Sequence, residues 1–152
     1  LLIRNSAKAI IQRENRLLLT KNKDEDGYFY LFPGGGQEHG ETLHKTLIRE
    51  CIEETGYKVI VGDLVHIREY IGKNHEHQAF DRDIHQIEFY FTCLLQKEID
   101  RLFDLSNPDQ NQVGIEWIPI DQLPQYRIYP KKLVPIIMKT CNKNMIYLGD
   151  IN

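Results

Sequence analysis

Short apolar runs separated by polar breaks dominate the chain, and in AKAIIQRENRLLLTKN they predict a hairpin. Its strands run from Lys8 to Gln12 and from Arg16 to Thr20, around Glu14-Asn15. KNKDEDG reads as a charged turn, and YFYLF as a short aromatic strand ended by Pro33 and three glycines. From Thr42 to Thr55 the period changes. Leu43, Leu47, Ile48, Cys51 and Ile52 recur at helical spacing on one side, and Gly56 supplies a left-handed stop. Further strands are predicted in YKVIV, LVHIREYI and HQIEFYFTCLL, then in VGIEWIPI after the turn-rich LSNPDQNQ. PKKLVPIIMK predicts a closing helix, irregular at Pro135. Strands on both sides of one strong helix point to a single domain over residues 1–152, α+β or mixed-sheet α/β, and exclude a bundle or repeat array.

The helix carries an unusual charge pattern. Glu50, Glu53 and Glu54 lie within about a quarter turn of one another, beside the apolar face and not opposite it. Like charges at this spacing repel by roughly 0.2–0.5 kcal/mol per pair. Arg49 is adjacent, but one cation cannot neutralise three carboxylates. A hard divalent cation can: Mg²⁺ takes oxygen ligands and keeps waters and substrate phosphates in its shell. The preceding FPGGGQEHGE lets main-chain groups approach a ligand closely and sets amide donors near a helix start, where anions are favoured. Loop, helix and carboxylates together describe a metal–phosphate site.

Composition narrows the remaining classes. A formal charge of -3, from 19 basic and 22 acidic side chains, offers no electrostatic surface for nucleic acid or membrane. Cys51, Cys93 and Cys141 form no C-x-x-C pair, and they read as small core hydrophobes in a reducing, cytoplasmic setting. The chain starts Leu-Leu-Ile without methionine, as expected of an incomplete N-terminus.

One family shares this arrangement. Gly35, five residues, Glu41, seven residues, Arg49-Glu50-Cys51, one residue, Glu53-Glu54, one residue, Gly56-Tyr57: this resembles the Nudix box, with Cys51 standing where a larger aliphatic residue is usual. The resemblance covers roughly residues 5 to 135, counting the flanking strands and IEWIPIDQLP. It implies an α/β/α arrangement, a mixed β-sheet sandwiched between helices, with the box as loop–helix–loop. It also implies MutT-like hydrolysis of a nucleoside diphosphate linked to another group, with Mg²⁺ or Mn²⁺. By position, Glu50 and Glu54 would be metal ligands and Glu53 a third ligand or the water-activating base. Gly34 would offer its carbonyl to the metal, Arg49 would orient the carboxylates, and Glu41 would be structural within the loop. The expected partner is a small nucleotide, and a homodimer is compatible with the family. The competing expectation is a Nudix-fold sensor that binds nucleotide without hydrolysis.

Other residues bear on substrate and base. Glu88 shares a strand face with Gln86 and Tyr90, opposite Ile87, Phe89 and Phe91, and is either a further ligand or base or an exposed edge-strand glutamate. His75, His77 and His85 with Asp81 and Asp83 suggest a polar loop or lid more than a zinc site. Tyr28, Phe29, Tyr30, Tyr70 and Phe80 can stack a base but also suit a core, and Trp117 reads as packing. Arg127, Tyr129 and Lys131 could meet a phosphate. SQPWPFP-like and other branch signatures are missing, so no branch is singled out, and the expected substrate is a small nucleotide, either a nucleoside triphosphate or an ADP-ribose-like sugar.

Overall fold

A computed structural model describes residues 1–98, 111–141 and 144–152. The predicted hairpin forms from longer strands, β1 (Ile3–Arg13) and β2 (Arg16–Asp24). Glu14 and Asn15 sit at φ 52° and 60° between them, the left-handed pair that a two-residue hairpin turn requires. Much of KNKDEDG extends β2, so the charged turn shrinks to Glu25 and Asp26 before β3 (Gly27–Leu31). The glycines expected to be a loop instead form β4 (Gly34–Gly36), paired antiparallel with Ser6–Lys8 of β1. The long helix α1 (Leu43–Thr55) begins where Thr42 accepts the Lys45 N–H at 3.1 Å and ends on Gly56 at φ 75°.

The two strands expected at YKVIV and LVHIREYI are one bulged strand, β5 (Tyr57–Ile71). A short α2 (Gln78–Asp81) lies in the histidine segment before β6 (His85–Glu98). Residues 105–110 of the turn-rich segment lie outside the described residues; β7 (Gln112–Pro119) follows. The closing helix is much shorter than PKKLVPIIMK suggested. It is α3 (Leu133–Ile137), with Pro135 in its first turn, where a missing N–H costs nothing. Two short parallel strands escaped sequence reasoning, β8 (Ile128–Tyr129) beside β3 and β9 (Tyr147–Asp150) beside β5.

Among the described residues these strands make a curled mixed sheet in the order β8-β3-β2-β1-β6-β5-β9, with β4 on β1 and β7 on β2. Side chains alternate between its faces. Ala7, Ala9 and Ile11 of β1 meet Leu47 and Cys51 of α1, while Ile10 packs with Tyr90, Leu123, Leu133 and Ile137 beneath α3. Helical segments thus cover both faces, and the α/β/α expectation holds. Cys51 and Cys93 are core residues; Cys141 is only half-buried. Among the described residues no helix is long and apolar enough to cross a membrane.

Candidate active site

The helix spacing that places Glu50, Glu53 and Glu54 on neighbouring rows also points Arg49 back over the glycine strand. Its guanidinium grips Glu41 through Nε and Nη2 at 2.8 and 2.9 Å, donates to Glu50 at 2.9 Å and to the Gly36 carbonyl at 3.2 Å, and lies 3.6 Å from Glu53. One cation therefore serves Glu41, Glu50 and Glu53, and Glu38 lies 3.9 Å away as well. The Arg49 hydrogen bonds, with the Glu38 N–H and the Thr46 hydroxyl, hold Glu41 down to about 2. Glu41 is thus a bracket for Arg49.

Glu54 is taken up elsewhere: it is buried, and its Oε2 accepts the Gly34 N–H at 3.3 Å. Glu50 is half-buried, and burial raises its carboxyl pKa despite Arg49. Gly35 lies against it, so closely that a Cβ there would stand 2.5 Å from the Glu50 carboxyl carbon. Absence of a side chain at Gly35 keeps open a cradle of carboxylate and main-chain oxygens. Among the described residues no three His, Cys, Asp or Glu side chains converge into a complete metal cage. Mg²⁺ needs none, since one or two carboxylates with waters and substrate phosphates fill its shell. The all-oxygen donor set and the glycine cradle fit such an ion.

Beside this cluster opens a recess of about 420 Å³, the scale of a small-molecule site. Phe29, Tyr70 and Tyr129 line it together with Lys8, Arg68 and Glu88. Phe80 projects at its rim, 87% exposed. Arg127 lies 5.1 and 5.7 Å from the ring centroids of Phe29 and Tyr129, donates to the Tyr129 hydroxyl at 3.1 Å, and is fixed by a two-pronged pair with Asp24. The loop after β5 is tied to the sheet through Asp150, which accepts from the Ile71 N–H and Asn74 at 3.0 Å and meets His75 at 2.5 Å.

Glu88 is not an edge-strand glutamate, because β6 pairs on both sides, with β1 and with β5. Arg68 stands directly across from it and donates at 2.7 Å; Gln86 and the Tyr90 hydroxyl add contacts of 2.5 Å each. Burial alone would raise this carboxyl, but the Arg68 and Lys8 charges outweigh it and hold the group at about 2. Arg68 in turn donates to the Ile151 carbonyl.

The structure thus brings together Arg49, Glu50 and Glu53 around Glu41, sets Glu54 on Gly34, and puts Glu88 in the recess with Arg68. The zinc pattern does not assemble: His75 turns to Asp150, His85 to Glu69, and Asp81 to the Tyr70 hydroxyl. Tyr30 is core, Tyr28 is exposed beside Lys21, and Trp117 packs under Arg13 against Tyr57. Lys131 pairs with Glu76 on the surface. Sequence reasoning missed Arg68 and Lys8. Their signal was a charged residue within an apolar strand, AKAII in one case and VHIREYI in the other.

The family described as NUDIX domain matches residues 2–137. Nucleoside diphosphate-linked moiety X motif 6 of Mus musculus is 30% identical over 108 residues, 71% of this chain and 31% of that protein. An ADP-ribose pyrophosphatase of Methanocaldococcus jannaschii is 47% identical over 49 residues, 31% of this chain and 28% of that protein. The chain therefore spans about a third or less of these two relatives. Among solved structures, a NUDIX hydrolase from Nitrosomonas europaea superposes with a TM-score of 0.70 at 20% identity, covering 91% of this chain and 87% of that one.

Proposed function

The chain belongs to the Nudix family, and from that premise we propose that it is a pyrophosphohydrolase cleaving a nucleoside diphosphate linked to another moiety, with Mg²⁺ or Mn²⁺. The observation that carries this reading is the arrangement of the glutamate helix against the Gly34–Gly36 strand, beside a recess of nucleoside size. When bound, the divalent cation supplies charge neutralisation at phosphate oxygens and a more acidic water. Glu50 and Glu54, with the Gly34 carbonyl, would hold it. Arg49 keeps Glu50 and Glu53 oriented, because its own position is fixed by Glu41. Glu53 then accepts the proton of the attacking water. Glu88 is less suited to be that base. Its oxygens are engaged by Arg68, Gln86 and Tyr90, and a group held at about 2 accepts protons poorly at neutral pH. The nucleoside lies in the recess among Phe29, Tyr70 and Tyr129, as part of a nucleoside triphosphate or an ADP-ribose-like molecule. Free cysteines at 51, 93 and 141 accord with a reducing, cytoplasmic setting.

The test is a panel of nucleoside diphosphate derivatives incubated with Mg²⁺ and followed by mass spectrometry of the phosphorus products. One or more members should be split into two phosphorylated products, and chelator or Glu54→Gln should abolish the reaction. Tight binding across the panel without turnover would instead support a nucleotide sensor.

A further inference from the structure

We propose that Lys8 holds the phosphoryl group attached to the nucleoside, at the junction between the recess and the glutamate helix. The inference deepens the reading of the site given above and rests on it. Lys8 interrupts a buried segment in which Ala7, Ala9, Ile10 and Ile11 are each at most 6% exposed. Because Ala7, Ala9 and Ile11 face α1, alternation turns Lys8 with Ile10 to the other face, where it lines the recess. Its main chain pairs with Gly34 of the glycine strand on one side and with Tyr90 of β6 on the other. It therefore stands between the two halves of the site. Its charge acts on Glu50 and on Glu88 alike.

Three of the nearby arginines are already engaged. Arg49 is taken by Glu41 and Glu50, Arg68 by Glu88, and Arg127 by Asp24. Lys8 is half-buried, yet among the described residues its ammonium makes one hydrogen bond, to the Phe32 carbonyl at the long distance of 3.5 Å. An ammonium has three donors, and leaving them unfilled away from water is costly. A phosphoryl oxygen would complete the shell. The glutamates flank the bond to be cleaved and the recess takes the nucleoside, so the group level with Lys8 is the phosphoryl next to the nucleoside. Holding that group requires no metal.

This separates the lysine's contribution from the metal's. Calorimetry in chelator would compare nucleoside monophosphates with the matching nucleosides, in wild type, Lys8→Met and Lys8→Arg. Wild type should bind at least one monophosphate roughly tenfold or more tighter than its nucleoside, the scale of one charge-assisted hydrogen bond. Lys8→Met should bring that ratio to about one without weakening the nucleoside, and Lys8→Arg should restore part of it. Should Lys8→Met not fold, Lys8→Gln carries the same comparison. A ratio unchanged by the neutral variant, or no preference for monophosphates in wild type, overturns the proposal. A Lys8-dependent ratio in a protein that hydrolyses nothing on the panel would uphold the phosphoryl contact and sink the hydrolase reading instead.

Discussion

Replacing Gly35 by alanine should leave the protein folded and remove most of its divalent-dependent hydrolysis. The added methyl would stand 2.5 Å from the Glu50 carboxyl carbon and 2.7 Å from each of its oxygens. Comfortable contact needs roughly 3.5 Å, so the carboxylate must retreat by roughly 0.8–1 Å. That retreat is cheap for the fold, because the end of a flexible side chain moves and Gly35 is not in the left-handed region. It is expensive for the chemistry. Ligand distances in metal sites are set to within about 0.2 Å, and a misplacement of about 1 Å can cost roughly 100-fold in rate. Turnover is therefore expected to fall by about two orders of magnitude, with a shift of only a few degrees in Tm. Gly34→Ala is the contrasting control. Its backbone has φ 141°, and its methyl would lie 1.9 Å from the Ala7 carbonyl oxygen, a strand atom that cannot swing away. That variant should fail to fold. Thermal unfolding with and without Mg²⁺, alongside initial rates across a Mg²⁺ titration, measures both. Gly35→Ala with wild-type turnover and an unchanged Mg²⁺ dependence would refute the role given to Glu50 on its glycine bed.

Glu88→Gln should lower stability by about 3–5 kcal/mol in chemical denaturation, because it leaves Arg68 buried without its counter-charge. If instead stability holds and turnover collapses, the proton acceptor is Glu88 and not Glu53. In acid, Glu41 and Glu88 both have folded-state values of about 2, below the ordinary 4.5. Their contribution is complete above about pH 4.5 and is lost as pH falls toward 2, so Glu41→Gln should flatten the acid limb of a stability–pH curve. Glu50 has the opposite sign, since burial raises it: Glu50→Gln should stabilise the metal-free protein at neutral pH, and that gain should vanish in acid as wild-type Glu50 itself protonates. Mg²⁺ should raise the wild-type Tm in a concentration-dependent manner at matched ionic strength, and replacing Glu50, Glu53 and Glu54 together by glutamine should abolish that increment; an increment that survives would put the cation elsewhere.

Local rules carried the elements whose ends are set by short-range contacts. The Thr42 cap, the 3.6-residue period through Cys51 and Ile52, and the Gly56 stop are all short-range effects, and α1 forms where they coincide. The same holds for the Glu14-Asn15 turn. Where partners decide, local rules fell short. Three glycines read as a loop, yet β1 offers them a free edge and they pair as β4. Ile128–Tyr129 and Tyr147–Asp150 are too short to show a period, and become strands only because β3 and β5 lie alongside.

The chemistry divides in the same way. Glu50, Glu53, Glu54 and Arg49 sit on one helix, so their neighbourhood follows from helical geometry and was written in the spacing of the sequence by itself. Gly35 and Glu41 are bound to that spacing through the same short segment. Glu88, Arg68 and Lys8 lie on three different strands, and nothing in their sequence separation predicts that Arg68 faces Glu88 across a ladder or that Lys8 lines the recess with Glu88 while its main chain pairs with Gly34. Whether Glu88 was an exposed edge carboxylate or a buried half of an ion pair depended on which strands flank β6. That pairing is a long-range contact, settled by burial of both sheet faces and not by any local preference, so only the tertiary structure decided it.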